Sequence, residues 1–222
     1  MTILNSGVPA EIISTWDKAA TKCANPLGLD DKILQDSLEE CPPRTYEGGI
    51  HLGRFLIPRD FVVYNEQDQP RQKGCDPNHV TNLYNNYLVK DYMTTEEPPI
   101  ASFDDTVLNA NTLKPHSGFN RYKALDRLGQ EIYIWDIYKF DNRYWEIIAA
   151  SASNHHSNPQ LSQDNEDYVK VVTNAVNAKI IAKDEDAIKD FVNKIATDKT
   201  SQQRKTITQN SVNGCEAVSY TH

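Results

Sequence analysis

The four cysteines of this chain, Cys23, Cys41, Cys75 and Cys215, include no Cys-x-x-Cys pair and no zinc-ligand spacing. That absence removes structural zinc and thioredoxin-like redox chemistry, and the cysteines read as reduced thiols of an intracellular protein. Long apolar runs are also missing. No stretch is long enough to span a bilayer, and the start, Met1-Thr2-Ile3-Leu4-Asn5, lacks the basic and apolar parts of a signal peptide. The expected location is therefore the cytoplasm. Positive charge is scarce as well. Lys and Arg number 4 against 8 acids in residues 1–53, 11 against 14 in 54–161, and 8 against 9 in 162–222. The net charge of -8 argues against a large general affinity for nucleic acid, and a DNA function needs a local basic face.

What is present is enough for one good core plus an appendage, at 222 residues and 39% hydrophobic. Residues 1–53 read as a helical N-terminal extension. Pro9 to Ala20 suits one helix and Asp30 to Glu40 a second, with Ile33, Leu34 and Leu38 on one face and Pro42-Pro43 as the stop. The helical period suits packing; a partner surface is the alternative. Phe55 to Ile57 and Phe61 to Tyr64 read as short extended pieces around Pro58. Asp76-Pro77 is a helix start, with Asp as cap and Pro in the first turn. Ile100 to Phe103 and Val107-Leu108 read as strands. Ile132 to Tyr138, rich in β-branched and aromatic residues, is the clearest strand. Asp141-Asn142 and Ser162 are read as caps of two further helices. The polar region 177–222 offers a helix at Ala187 to Ile195, a turn at Asp198 to Ser201 and a helix from Gln202 to Val212, a helix-turn-helix outline, with fraying from Asn213.

The most informative stretch is Ser117-Gly118-Phe119-Asn120-Arg121-Tyr122-Lys123-Ala124-Leu125. A glycine opens a short helix and an arginine follows in its first turn. Unpaired N–H groups and partial positive charge at a helix start suit a phosphate, and a guanidinium adds a planar charged fork. His116 stands just before it. Carboxylates close by in sequence are Asp104, Asp105 and Glu131. His155 and His156, in an Asn- and Ser-rich turn, are adjacent and cannot both aim at one metal from regular backbone. One of them beside a phosphate would serve as donor or general base. The aromatics Tyr84, Tyr87, Tyr133, Trp135 and Tyr138 read as core.

The order Gln69-Pro70-Arg71, then Gly118-x-x-Arg121-x-x-Ala124, then Asn154-His155-His156 resembles the ParB N-terminal domain of the ParB/sulfiredoxin superfamily, over about residues 54–176. The resemblance implies an α+β fold, a small mixed sheet with packed helices, flanked by the extension 1–53 and a polar helical region 177–222. It implies a phosphate or nucleotide pocket of Gln69, Arg71, Gly118, Asn120, Arg121 and Asn154, with CTP or ATP and Mg2+ as cofactors. DNA, a nucleotide and a second copy of the chain are the implied partners, and a membrane is not. Two positions depart from the pattern. Phe119 stands where an acid follows the glycine, and Ser153 where an acid precedes the late asparagine. Both losses weaken metal binding and switching, and Phe119 excludes the sulfiredoxin cysteine. The resulting expectation is a DNA-acting protein, most simply an endonuclease, with His116, His155 and His156 as catalytic candidates. The alternatives are a nucleotide-binding, partition-type DNA clamp without nuclease activity, or a nucleotide-dependent small-molecule kinase on the same fold.

Overall fold

The computed structural model describes residues 7–63, 75–89, 97–103, 113–153 and 163–218, with side chains to Cys215. The chain forms two compact units that divide between Phe140 and Asp141. The expected boundary at 176/177 lies at the end of a helix of the second unit. The fold is α+β.

In the first unit, helices α1 (Ala10–Ala20) and α2 (Asp31–Glu40) precede the long strand β1 (Gly49–Pro58). The Asp30 carboxylate caps α2 by accepting from Ile33 N at 2.8 Å. One 3-10 turn, Arg59–Phe61, follows β1 and takes Phe61 out of the expected extended piece, whereas Val62 is extended and bridges Leu113 in parallel; Tyr64 lies outside the described residues. Pro58 ends the strand there because it has no N–H to continue a ladder. Helix α3 (Pro77–Val89) starts at the Asp76 cap, whose carboxylate accepts from Asn78 N at 2.9 Å. Strands β2 (Ile100–Ser102) and β3 (Lys114–Pro115), helix α4 (Phe119–Arg127) and strand β4 (Ile132–Phe140) complete the unit. The expected strand at Val107-Leu108 lies outside the described residues.

The sheet order is β1-β4-β2-β3. Strand β4 runs antiparallel to β1, from Gly49 opposite Phe140 to Pro58 opposite Ile132, with an irregularity between His51 and Gly53. It runs parallel to β2, which is antiparallel to β3. Ile132 to Tyr138 is buried throughout, which explains why its apolar residues do not alternate with exposed polar ones: a central strand covered on both faces has no solvent side, and its one charged residue, Asp136, is buried as well. Trp16 of α1 meets Phe55 of β1 edge-on at 5.6 Å, and Tyr122 of α4 meets Tyr133 of β4 at 5.4 Å. The loop after α1 is stitched to the start of β4. Leu27 N donates to Gln130 Oε1 at 3.1 Å, and Gln130 Nε2 donates to Asn25 Oδ1 at 2.8 Å. The N-terminal helices thus share the core of this unit.

The second unit holds α5 (Arg143–Ser153), α6 (Asn165–Asn177), α7 (Glu185–Ile195) and α8 (Ser201–Val218). Asn142 Oδ1 caps α5. Ser162 lies outside the described residues, and the cap of α6 is Asp164, in a reciprocal box with Asp167. Ile188, Phe191, Val192 and Ile195 of α7 face Tyr168, Val172 and Val176 of α6 and Ile207 of α8 in one core. Tyr168 Oη donates to Asp198 Oδ1 at 2.7 Å and ties α6 to the α7–α8 turn. Helix α8 runs on to Val218, past the fraying expected from Asn213. No described helix is long and apolar enough to cross a membrane.

Candidate functional site

Gly118 is the N-cap of α4 and adopts φ +82°. A side chain is strained in that conformation, and here it is also blocked, because a Cβ on Gly118 would lie 2.4 Å from Pro99 Cβ. The residues around the glycine are laced to β2. His116 N donates to Ile100 O at 2.9 Å, and Ile100 N donates to Ser117 Oγ at 2.9 Å. The first turn of α4 is therefore pinned by hydrogen bonds to β2 on one side and by the Pro98-Pro99 stretch on the other.

The turn sorts its side chains. Phe119 is buried. Asn120 Oδ1 accepts from Asp76 N at 3.2 Å, so this residue joins the starts of α3 and α4. Arg121 is half-buried and donates from Nη1 to the Glu97 carbonyl. Beside it lies a cavity of about 40 Å³, lined in part by Leu29, Tyr87, Pro99, Arg121, Tyr133 and Trp135. That space suits water and is too small for a nucleotide, which would lie across the turn instead.

His116 sits with its ring buried, edge-on to Phe140 at 5.8 Å. Gln69, Arg71, Asn154, His155 and His156 lie outside the described residues, as do Asp104 and Asp105. Glu131 is used elsewhere: its carboxylate accepts from Ala24 N at 2.8 Å. Ser153 Oγ donates to Ala150 O at 2.9 Å. With Phe119 in the core and a serine at 153, neither departing position supplies the carboxylate oxygen that Mg2+ favours. Among the described residues no three of His, Cys, Asp or Glu converge as metal ligands.

A charged network on the sheet was not anticipated from sequence. Arg54 and Asp136 face each other across β1 and β4 and are both buried. The guanidinium donates from Nε to Asp136 Oδ1 at 2.8 Å and from Nη2 to Oδ2 at 2.7 Å. It also donates from Nη1 to Ser37 O at 2.6 Å, which fastens α2 to the sheet. His51 Nε2 lies 3.1 Å from Asp136 Oδ1. Asp136 N in turn donates to Pro99 O at 3.0 Å, so the same strand that carries the buried pair holds the stretch packed on Gly118. Burial pushes the Tyr46 and Tyr138 phenols up, and both stay neutral beside these charges. The one signal in the sequence was an acid in the middle of the apolar run 132–138.

In the second unit, α7 and α8 border a groove of about 340 Å³ whose lining includes Lys189, Asn193, Arg204, Lys205 and Gln209. No acid occurs in α8 from Ser201 to Cys215.

No protein-family model matches the chain, and no curated protein matches it. Among solved structures, the chain is similar to the C-terminally truncated chromosome-partitioning protein ParB from Caulobacter crescentus, solved in complex with CTP-γ-S. The identity is 12%, the match covers 75% of this chain and 98% of the other, and the TM-score is 0.37. At that identity and score the likeness is loose.

Proposed function

We propose that the first unit binds the phosphates of a nucleotide, CTP or ATP, at the Gly118–Arg121 turn, and that the second unit contacts DNA through α7 and α8, as in a partition-type DNA clamp. The observation that carries the reading is the N-cap of α4. A glycine at φ +82° lies against Pro99 where no side chain fits, and a guanidinium stands in the first turn behind it. Such a turn offers backbone N–H donors, the positive end of a helix and a permanent charge at one place. The DNA part is supported by the absence of acids from Ser201 to Cys215 of α8 and by Lys189, Arg204 and Lys205, which outnumber the one acid, Glu185, along the α7–α8 groove. A second copy of the chain completes a clamp, and sedimentation with and without nucleotide tests it.

The nuclease reading asks for more. It needs a water activator, and His155 and His156, the pair expected to supply one, lie outside the described residues. Phosphate binding needs only the turn. The departures at Phe119 and Ser153 leave Mg2+ without its expected acids, so no step here runs through a metal. The test is calorimetric binding of CTP and ATP by the full chain and by Arg121→Ala. Loss of a charge-assisted contact weakens binding by about 2 kcal/mol, while the free protein stays folded and loses only the roughly 1 kcal/mol of the Arg121–Glu97 hydrogen bond. Equal affinity in the two proteins removes Arg121 from the site, and cleavage of supercoiled DNA by purified wild type restores the nuclease reading.

A further inference from the structure

Two arginines from distant parts of the first unit meet at Glu97. Arg44, which follows α2, pairs its Nε with the Glu97 carboxylate at 2.6 Å. Arg121, in the phosphate turn, donates to the Glu97 carbonyl, and its charge also acts on the carboxylate. Two residues on, Pro99 packs against Gly118 and accepts from Asp136 N. Glu97 is thereby fixed close to the first turn of α4, with its side chain about a quarter exposed. A carboxylate held by one guanidinium and facing the charge of another reproduces the charge and the acceptor geometry of a phosphate oxygen.

Resting on the nucleotide reading above, the geometry points to Glu97 as an internal stand-in for the ligand's phosphate, and to Arg44 as the second cation of the phosphate site. In the free protein Glu97 occupies Arg44 and holds Arg121 by its carbonyl. An arriving phosphate takes both guanidinium groups, and the Glu97 carboxylate is released to water or to a proton. Burial pushes the Glu97 acid up, against the pull of Arg44 and then Arg121. Asp136 and Arg54 act on it from the sheet, and Tyr46, Tyr138 and Cys41 border the same cluster. Acid therefore neutralises the stand-in, and because a terminal phosphate also takes up a proton in mild acid, the effect is read as a difference between wild type and a Glu97 variant.

The experiment is titration calorimetry of the full chain with CTP and, separately, with inorganic tripolyphosphate. Wild type is compared with Glu97→Gln, Arg44→Gln and Arg121→Ala, each checked for folding by circular dichroism. Glu97→Gln removes the competing charge and tightens binding about tenfold, and Arg44→Gln weakens it by a similar factor. The advantage of Glu97→Gln over wild type shrinks as pH is lowered, because acid neutralises Glu97 in the wild type while the ligand's own protons are common to both proteins. If Glu97→Gln and Arg44→Gln both bind CTP like wild type while Arg121→Ala does not, the stand-in is overturned and the nucleotide reading survives. If tripolyphosphate binding tightens in Glu97→Gln but no protein binds a nucleotide, the stand-in holds and the nucleotide reading falls. Silence of every protein toward both ligands overturns both.

Discussion

Replacing Gly118 by alanine puts two separate costs on one methyl group. The backbone cost comes from φ +82°, a left-handed conformation that disfavours an L side chain by about 1–2 kcal/mol. The packing cost comes from Pro99. The new Cβ would sit 2.4 Å from Pro99 Cβ and 3.1 Å from Pro99 Cγ. Neither atom is the free end of a flexible side chain, and Pro99 is itself tied to Asp136 N. Overpacking against such a neighbour costs about 1–3 kcal/mol, so the sum is about 3 kcal/mol. Gly129 supplies the control. It closes α4 at φ +69° with nothing within 4 Å of its would-be Cβ, so Gly129→Ala carries the backbone cost alone. Urea unfolding of the two variants separates the terms, the difference between them being the Pro99 contact. Pro99→Gly combined with Gly118→Ala should recover that difference as coupling, because it removes the clashing atom. Equal destabilisation by Gly118→Ala and Gly129→Ala refutes the claim that Pro99 seals the turn.

Asp136→Asn leaves the Arg54 charge buried without its carboxylate and should cost about 3–5 kcal/mol in chemical denaturation, whereas joint replacement of Arg54 and Asp136 by apolar residues should cost less than the single change. A single variant no weaker than the double one shows that the pair is not what holds that charge. Glu97 gives a pH signature in the free protein. Its acid is raised in the folded state, so the folded chain holds that proton more tightly than the unfolded one, and its contribution to stability falls as pH climbs from about 4.5 through the raised value. Glu97→Gln removes that fall, and parallel stability profiles of the two proteins across mildly acid pH contradict it.

Much of the scaffold was legible because local rules decided it. Asp30 and Asp76 cap helices by short contacts along the chain, and the period of Ile188, Phe191, Val192 and Ile195 marks a buried helical face. Gly118 with Arg121 marked the turn for the same reason, since a positive φ and a first-turn charge are properties of one segment. The network around Asp136 escaped because it depends on register. Arg54 lies 82 residues away in sequence, and only the antiparallel pairing of β1 with β4 sets the two opposite each other. The start of β1 was hidden too, because the irregularity between His51 and Gly53 breaks the alternation that announces a strand. Glu97 gave no signal at all, since nothing local relates it to Arg44 or to Arg121.

The place of β4 in the sheet also sets a timetable. It is the strand that both β1 and β2 pair with, yet it comes last of the four in chain order. On a ribosome adding about 5–20 residues per second, the earlier strands emerge first and wait for the partner that joins them. The buried faces of β1 stay uncovered by their own sheet until Phe140 has left the exit tunnel, when well over half of the chain is already made. Closing that pairing draws together residues some 75 to 90 positions apart, a long loop whose entropy is spent before any sheet contact returns it. Folding of this unit is thus governed by the arrival of one strand, and α1 and α2, made first, are the segments in a position to shelter β1 meanwhile.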